Sequence, residues 1–359
     1  MHPRRRFNPL LVALLLLFCA GCAGPLPGKA VEEATIYPSY GYRRGEQWAI
    51  PLRIWVHEPR TVTQTAFTGL AATAGSRPAP EIARFRDRLS DLVADDESRE
   101  QVAFVFDQDP RQETFTLREA DGTPKRSDLN GLILGELVLT AARAGEILKA
   151  QGSNHGWLQL HVVSAGHRGS ARVRLIEPRG LSLISDIDDT IKVTDIPAGH
   201  AVVIENTFYR PFVAAPGMAE RYRGLGDETA FHYVSGGPWQ LYRPLAQFIA
   251  AAGYPEGSFH MKSVRKNLLT PGSWQDLARL AGGEATTEQK LGQISDIIGH
   301  FPQRGFILVG DSGEHDPEIY REIRERFPRQ IEAVWIRDLV NDRERRPERL
   351  QGMQIIDVQ

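Results

Sequence analysis

Ser185-Asp186-Ile187-Asp188-Asp189-Thr190 closes the apolar run Leu181-Ser182-Leu183-Ile184. A short apolar run bounded by polar residues is typical of a buried β-strand. A strand that ends in three carboxylates gives up stability to concentrate negative charge, and such exceptions to the burial rules usually mark a functional site. The sequence therefore predicts a site at the carboxyl end of this strand.

The same acidic stretch has a second reading, as the calcium-binding loop of an EF-hand. Asp186, Asp188 and Thr190 have the spacing of its ligand positions one, three and five. That loop also needs Gly at position six and Glu at position twelve, where this chain has Ile191 and Pro197. The EF-hand is excluded, which leaves a catalytic site or a solvated acidic turn.

Four further apolar runs follow along the chain, at residues 230–234, 258–261, 305–309 and 331–336. They alternate with helical patterns at residues 239–252, 288–301 and 317–327. This alternation indicates an α/β fold with an open parallel sheet. Ligands of such sheets bind at the carboxyl ends of the strands, so the polar residues that follow each run are candidates for the site.

Ser235 follows the second run, and Gly310-Asp311-Ser312-Gly313-Glu314-His315-Asp316 follows the fourth. Asp311 comes directly after the strand and has no helix to cap, which favours a role in the site. Asp316 precedes Pro317, so it is suited to capping the next helix, to holding a metal ion, or to both. The sequence leaves that alternative open.

A lysine is expected near these carboxylates. Thr286-x-x-Gln289 resembles a capping box, which would place Lys290 in the first turn of a helix, where the macrodipole disfavours a cation. A lysine in that position needs an acidic partner, and the site carboxylates are suitable partners. Lys262, at the end of the third strand, is the alternative candidate, and a solvent-facing Lys290 is the third possibility.

Residues 34–178 show a different pattern, with apolar residues at every second position. Strands are predicted around residues 50–56, 103–106, 114–117, 158–162 and 171–175, and one amphipathic helix around residues 82–93. Residues 132–147 are apolar and fit either a helix or a strand. The pattern predicts a β-sandwich-like accessory domain with a helical insertion, without a His, Cys or carboxylate cluster at metal or triad spacing.

The N-terminus has the pattern of a secretory signal. Three arginines at positions 4–6 precede a short apolar stretch and then Cys19-Ala20-Gly21-Cys22. This stretch resembles a bacterial lipobox, which implies a signal peptide at residues 1–22, Cys22 as the lipidated residue, and a tether at residues 23–33. Both cysteines of the chain lie here, so the expected mature protein has no disulfide.

Charge argues against one class of partner. The formal net charge is −2, and removal of the three arginines with the signal peptide changes it to −5. No basic field remains to attract a polyanion, so nucleic-acid binding is disfavoured.

Two family resemblances rest on these motifs. The D-x-D-x-T spacing from Asp186 resembles the first motif of the haloacid-dehalogenase-like phosphatases. SDIDDTIKVT at 185–194, YVSGGPW at 233–239 and GDSGEHDPEIY at 310–320 together resemble the catalytic domain of the actin-patch-protein type of phosphatidate phosphatases. The resemblance implies a haloacid-dehalogenase-like sheet without a large cap at residues 179–359, following the β-sandwich-like domain.

The resemblance also implies roles for individual residues. The residue that matches Asp186 is the nucleophile, and the one that matches Asp188 is the acid and base. Ser235 and Lys290 are expected to hold the phosphate, together with Thr190 and Gly236. The expected Mg²⁺ ligands are drawn from four aspartates, namely Asp186, Asp188, Asp311 and Asp316.

These expectations add up to a Mg²⁺-dependent phosphatidate phosphatase that releases diacylglycerol and phosphate through an aspartyl-phosphate. Its phospholipid substrate would lie in a membrane surface on the periplasmic side, at the outer membrane rather than the inner one. The alternatives are a phosphatase for phosphoproteins or soluble phosphomonoesters, and a non-catalytic lipoprotein that binds a partner.

Overall fold

The computed structural model describes residues 31–58, 77–92, 94–263 and 284–357. The predicted signal peptide, Cys22 and residues 23–30 of the predicted tether lie outside these ranges. The first strand, β1 (Glu32–Ile36), takes in the last two residues assigned to the tether. Within the described ranges, no helix combines the length and the apolar character that crossing a membrane requires.

The described residues of the N-terminal half form nine further strands and two helices. In chain order they are β2 (Ser39–Arg44), β3 (Gln47–Glu58), α1 (Ala79–Ser90), β4 (Asp95–Asp96), β5 (Ala103–Phe106), β6 (Phe115–Thr116), β7 (Leu132–Thr140), α2 (Ala141–Ala150), β8 (Trp157–Val162), β9 (His167–Arg168) and β10 (Ser170–Leu175). The predicted strands and the predicted helix are all present. The ambiguous residues 132–147 form both kinds of element, β7 and then α2, and the hydroxyl of Thr140 caps α2 by accepting from the Arg143 N–H at 3.2 Å.

Eight of these strands form one continuous hydrogen-bonded path, because β2 pairs with β3 on one side and with β10 on the other, and β4 and β7 are attached to it through β3. Strand β2 thus joins two groups of strands, one with β1, β3, β4, β7 and β9 and the other with β5, β6, β8 and β10. Apolar side chains from distant parts of the path, such as Ile54, Phe104 and Leu160, nevertheless pack in a single core. The sheet is therefore folded around that core.

The C-terminal half is an α/β domain with a six-stranded parallel sheet. Its elements are β11 (Leu181–Ser185), α3 (His200–Ile204), α4 (Met218–Arg223), β12 (Ala230–Pro238), α5 (Tyr242–Ala251), β13 (Gly257–Lys262), α6 (Glu284–His300), β14 (Gly305–Asp311), α7 (Asp316–Arg326), β15 (Ile331–Arg337), α8 (Asp342–Arg345) and β16 (Gln354–Ile356). All five predicted strands and three predicted helices are present, and β16 adds an edge strand that the sequence pattern does not predict.

The strand order is β13-β12-β11-β14-β15-β16, and every neighbouring pair is parallel. The order reverses between β11 and β14, which is the switch point at which open α/β sheets bind ligands. The sequence predicts that this sheet has no large cap. Part of that prediction is about residues 264–283, which lie outside the described residues.

Candidate active site

The site lies where β11 and β14 end side by side. Asp186 follows β11 directly, and its backbone N–H donates to the carbonyl of Val309 on β14 at 2.9 Å. Asp311 is the last residue of β14. The two aspartates are 2% and 0% exposed. Asp186 and Asp311 therefore lie at neighbouring strand ends, as the parallel strand pattern predicts.

Lys290 is the lysine that reaches these carboxylates. Its Nζ donates to Asp186 Oδ1 at 2.8 Å and to Asp316 Oδ1 at 2.7 Å, and the side chain is buried. Lys262 instead donates to the hydroxyl of Thr286 at 2.8 Å. The predicted capping box is wrong, because Thr286 lies inside α6, which already includes Glu284.

Asp316 is not the cap of α7. It is the first residue of that helix, His315 precedes it, and no side chain there makes a capping bond. Asp316 Oδ1 accepts from Lys290, and its Oδ2 accepts from the backbone N–H of Asp311 at 3.2 Å. Asp316 therefore orients the lysine and the end of β14.

Three acidic side chains could hold a metal ion together. One carboxylate oxygen each of Asp186, Asp311 and Glu314 lies within 4.8 Å of the others. The Oδ2 atoms of Asp186 and Asp311 are buried and have no hydrogen-bond partner among the described residues. Carboxylate oxygens are the ligands that hard divalent cations prefer, so this donor set fits such an ion. Glu314 is a site residue that the sequence reasoning missed, and Asp188 and Asp316 are not in this group.

Burial and mutual repulsion disfavour negative charge in this cluster. Burial raises the pKa of Asp186, the charge of Lys290 opposes this, the charges of Asp316 and Asp188 add to it, and the net pKa is about 7. Burial and neighbouring carboxylates also raise the pKa values of Asp311 and Glu314 well above their usual range. Burial disfavours charge on Lys290 too, but Asp186 and Asp316 outweigh it and raise its pKa well above the ordinary value. One lysine cannot neutralise so many carboxylates, so the cluster favours an additional cation.

Asp188 has a different environment. Its Oδ1 accepts from Lys192 Nζ and from the hydroxyl of Thr194, each at 2.7 Å. Burial would raise the pKa of Asp188, but these two donors outweigh burial and lower it. Lys192 is buried, 1% exposed, and the sequence reasoning missed it. Its position four residues after Asp188 is the signal that could have identified it.

Of the predicted phosphate-binding residues, Ser235 lies beside this carboxylate. Ser235 is buried within β12, and its hydroxyl lies 3.5 Å from Asp188 Oδ2. That hydroxyl also accepts from the backbone N–H of Gly237 at 2.9 Å. Thr190 is buried, and its hydroxyl has no hydrogen-bond partner among the described residues. Gly236 is buried within β12.

A small pocket of about 50 Å³ opens next to Asp188. Its walls are mainly apolar and include Ile196, Val203, Ile204, Phe208, Pro238 and Leu241. Thr194 and Thr207 are the two hydroxyl side chains in the lining. The pocket therefore offers an apolar group a place near Asp188.

Helix α1 of the N-terminal half holds one wall of this pocket. The guanidinium of Arg88, 6% exposed, donates to the carbonyls of Thr207 and Arg210 at 2.7 and 2.8 Å and lies 3.6 Å from the centre of the Phe212 ring. Phe85 of the same helix stacks on Tyr209 at 4.7 Å. The accessory half is thus packed against the segment that contributes Phe208 to the pocket.

Replacing Arg88 with alanine is expected to lower the free energy of unfolding by about 2 to 3 kcal/mol, because charged hydrogen bonds to buried carbonyls are lost. Urea denaturation measures this change. Arg324→Ala is the matched control, since Arg324 is only half-buried and its hydrogen bonds to the carbonyls of Gly352 and Gln351 are open to solvent. The control should change stability by at most about 0.5 kcal/mol. Equal losses in the two variants would contradict this role for Arg88.

The fold and the site define an α/β domain with a carboxylate and lysine cluster at the switch point of its parallel sheet. Residues 181–338 match the sequence profile described as "Phosphatidate phosphatase APP1, catalytic domain", so this part of the chain is similar to that family. The chain is 35% identical over 166 residues to "Phosphatidate phosphatase APP1" of Saccharomyces cerevisiae, which covers 45% of this chain and 26% of the yeast protein.

An uncharacterised protein of Schizosaccharomyces pombe is 32% identical over 179 residues, covering 48% of this chain and 27% of the relative. The chain therefore spans about a quarter of the length of these curated relatives. The matched portion includes every site residue described above from Asp186 to Asp316.

Proposed function

We propose that this chain is a phosphatidate phosphatase that requires a divalent cation, with Mg²⁺ as the cation, and that its catalytic domain is of the haloacid-dehalogenase-like class. The observation that carries the proposal is the convergence of Lys290, Asp311 and Glu314 on Asp186. The family match of residues 181–338 supports the substrate class.

Charge explains why a phosphatase needs this convergence. Hydrolysis of phosphate monoesters is among the slowest uncatalysed reactions, and here an anionic carboxylate must approach an anionic phosphoryl group. When bound by Asp186, Asp311 and Glu314, Mg²⁺ would neutralise charge on the phosphoryl oxygens. Lys290 adds a fixed positive charge beside the attacking carboxylate.

Asp186 is the nucleophile in this proposal, and its attack on phosphorus would form an aspartyl-phosphate. The bond from Lys290 to Oδ1 orients that carboxylate. In this proposal the hydroxyl of Ser235, which lies near Asp188, and the buried hydroxyl of Thr190, which has no hydrogen-bond partner among the described residues, would hold phosphoryl oxygens.

Asp188 would move the protons. Its Oδ1 is held by Lys192 and Thr194, which leaves Oδ2 for proton transfer. The charge of a bound phosphoryl group opposes ionisation of Asp188 and favours its acid form, which donates to the leaving alkoxide. Asp188 is then ionised, as its lowered pKa favours, and accepts a proton from the water that hydrolyses the aspartyl-phosphate.

Chelation is expected to abolish phosphate release, and Mg²⁺ alone should restore it. Protons compete with the cation for Asp186, Asp311 and Glu314, whose pKa values are all raised by burial, so the Mg²⁺ concentration needed for half-maximal rate should decrease as the pH rises. Asp311→Asn should raise that concentration. EDTA saturated with Mg²⁺ beforehand is the control, and full activity in free EDTA would contradict the proposal.

The pocket beside Asp188 supports a lipid substrate. A leaving group must lie next to the residue that protonates it, and there the walls are apolar. The hydroxyl groups of a sugar would have few partners on such walls, whereas apolar atoms of a phosphatidate could contact them without losing hydrogen bonds. We further propose lipidation at Cys22, a membrane-surface location on the periplasmic side, and the outer membrane as the site of anchoring.

The substrate proposal is tested by comparing rates on phosphatidate in mixed micelles and on p-nitrophenyl phosphate. Val203 lines the pocket, whereas Val202, next to it on α3, does not line it. Both are half-buried. Val203→Glu should lower the phosphatidate rate about tenfold relative to the soluble ester, and Val202→Glu should leave the ratio unchanged. A wild-type chain that prefers the soluble ester, or equal ratios in both variants, would contradict the lipid assignment.

A further inference from the structure

A second cluster of side chains that could bind a metal ion lies in the N-terminal half and shares no residue with the site of the catalytic domain. His167, Glu32 and Glu100 each offer one ligand atom within 4.8 Å of the others. The His167 side chain is 5% exposed, and its Nε2 lies 3.1 Å from Glu32 Oε2 and 3.5 Å from Glu100 Oε2. The sequence reasoning found no such cluster here, because these residues are widely separated along the chain.

His167 is the residue that points to a ligand. No group among the described residues is in hydrogen-bond geometry with either of its ring nitrogens, although the ring is buried. Its Nε2 is close to two carboxylate oxygens without a hydrogen bond to either. This is the arrangement expected when the nitrogen and the oxygens are directed at a common point between them.

The distances fit a tetrahedral ion. Ligand atoms about 2.0 to 2.1 Å from a zinc ion lie about 3.3 to 3.4 Å from each other at tetrahedral angles. The two separations from His167 Nε2, 3.1 and 3.5 Å, fall on either side of that value. An imidazole with two carboxylates favours zinc or a similar transition metal, whereas the all-carboxylate catalytic cluster suits Mg²⁺.

The backbone around the cluster is held in place. In the parallel pairing of β1 with β9, Glu32 lies directly opposite His167, and the Glu32 N–H donates to Gly166 at 2.8 Å. Opposite residues of paired strands point to the same face. Glu100 and Ser127 exchange hydrogen bonds of 2.9 Å, which fixes the loop that carries Glu100. The ligand positions are therefore set by the fold.

We propose that Glu32, Glu100 and His167 form a zinc site with a water as the fourth ligand. The ion would join three segments of the accessory half: the start of β1, the loop at Glu100, and β9. Outside positions 19 and 22 the chain has no cysteine, so a metal site would stabilise this half where no disulfide is available.

Titration of the full, metal-stripped chain with Zn²⁺ alone, followed by calorimetry and metal analysis, tests the proposal. An Asp311→Asn background weakens the catalytic cluster and isolates the second site. In that background one Zn²⁺ should bind per chain and raise Tm. Adding His167→Gln should weaken this binding at least about 100-fold and remove the shift in Tm.

His161→Gln is the matched control, because His161 is an exposed histidine that pairs with Asp107 at 2.6 Å. It should bind Zn²⁺ like its parent. Glu100→Gln removes a less buried ligand. If His167→Gln does not fold, the loss of Zn²⁺ binding is measured on Glu100→Gln instead. Absence of Zn²⁺ binding in the Asp311→Asn parent, or unchanged binding after loss of His167 or Glu100, would overturn the proposal.

Discussion

Replacing Asp186 with asparagine is expected to reduce phosphate release from phosphatidate at least about 10⁴-fold while the protein stays folded. The amide keeps an oxygen that can accept from Lys290 but loses the charge that makes the carboxylate a nucleophile. The fold should tolerate this change, because burial already disfavours the charge on Asp186 and raises its pKa to about 7.

A phosphate-release assay with circular dichroism on the same samples separates lost chemistry from lost structure. Asp195→Asn is the matched control: Asp195 is exposed near the site, and its φ of 61° lies in the left-handed region that asparagine tolerates. The control should retain nearly full activity. Folded Asp186→Asn protein with more than about 1% of the wild-type rate would contradict the assignment of the nucleophile.

Replacing Lys290 with methionine is expected to lower the rate about 10³-fold and the free energy of unfolding by about 3 to 5 kcal/mol. Lys290 is buried between Asp186 and Asp316, so its removal leaves carboxylates in the interior without a counter-charge. The rate falls because the fixed positive charge beside the attacking carboxylate is lost.

Lys262→Met is the control for this variant, because Lys262 is the other lysine that the sequence analysis considered as the partner of the site carboxylates. Its rate should change less than about tenfold, since Lys262 donates to Thr286. Rates and denaturation midpoints are measured on both variants. If Lys262→Met lost more activity than Lys290→Met, the assignment of the lysine would be wrong.

A variant that combines Lys290→Met with Asp186→Asn shows whether the loss of stability comes from charge or from packing. If the cost of Lys290→Met comes from an uncompensated Asp186 charge, it should shrink by about 1 to 3 kcal/mol in the Asp186→Asn background. Additive losses would instead indicate that packing of the lysine side chain accounts for the cost.

The convergence of Asp186 and Asp311 could be predicted from the sequence, because strand ends in a parallel sheet share one edge. The choice between Lys290 and Lys262 could not, since it depends on where α6 lies relative to Asp186. The capping box at Thr286 and the cap at Asp316 were plausible local patterns that tertiary contacts override. Asp316 instead binds the lysine.

Other site residues were missed because their local sequence has a simpler explanation. Glu314 resembles an acidic residue near the start of a helix, and Lys192 resembles a surface lysine. Their roles depend on burial and on distant partners. The cluster around His167 is the clearest example, because two of its ligands become neighbours only through the pairing of β1 with β9.

The most direct test of the central claim is to quench the wild-type enzyme during turnover of phosphatidate labelled in its phosphate and to locate the label by mass spectrometry. The proposed mechanism predicts an acid-stable, alkali-labile phosphoryl group on Asp186, formed only when Mg²⁺ is present. Label on another residue, or rapid turnover with Asp186 unlabelled at every quench time, would contradict it.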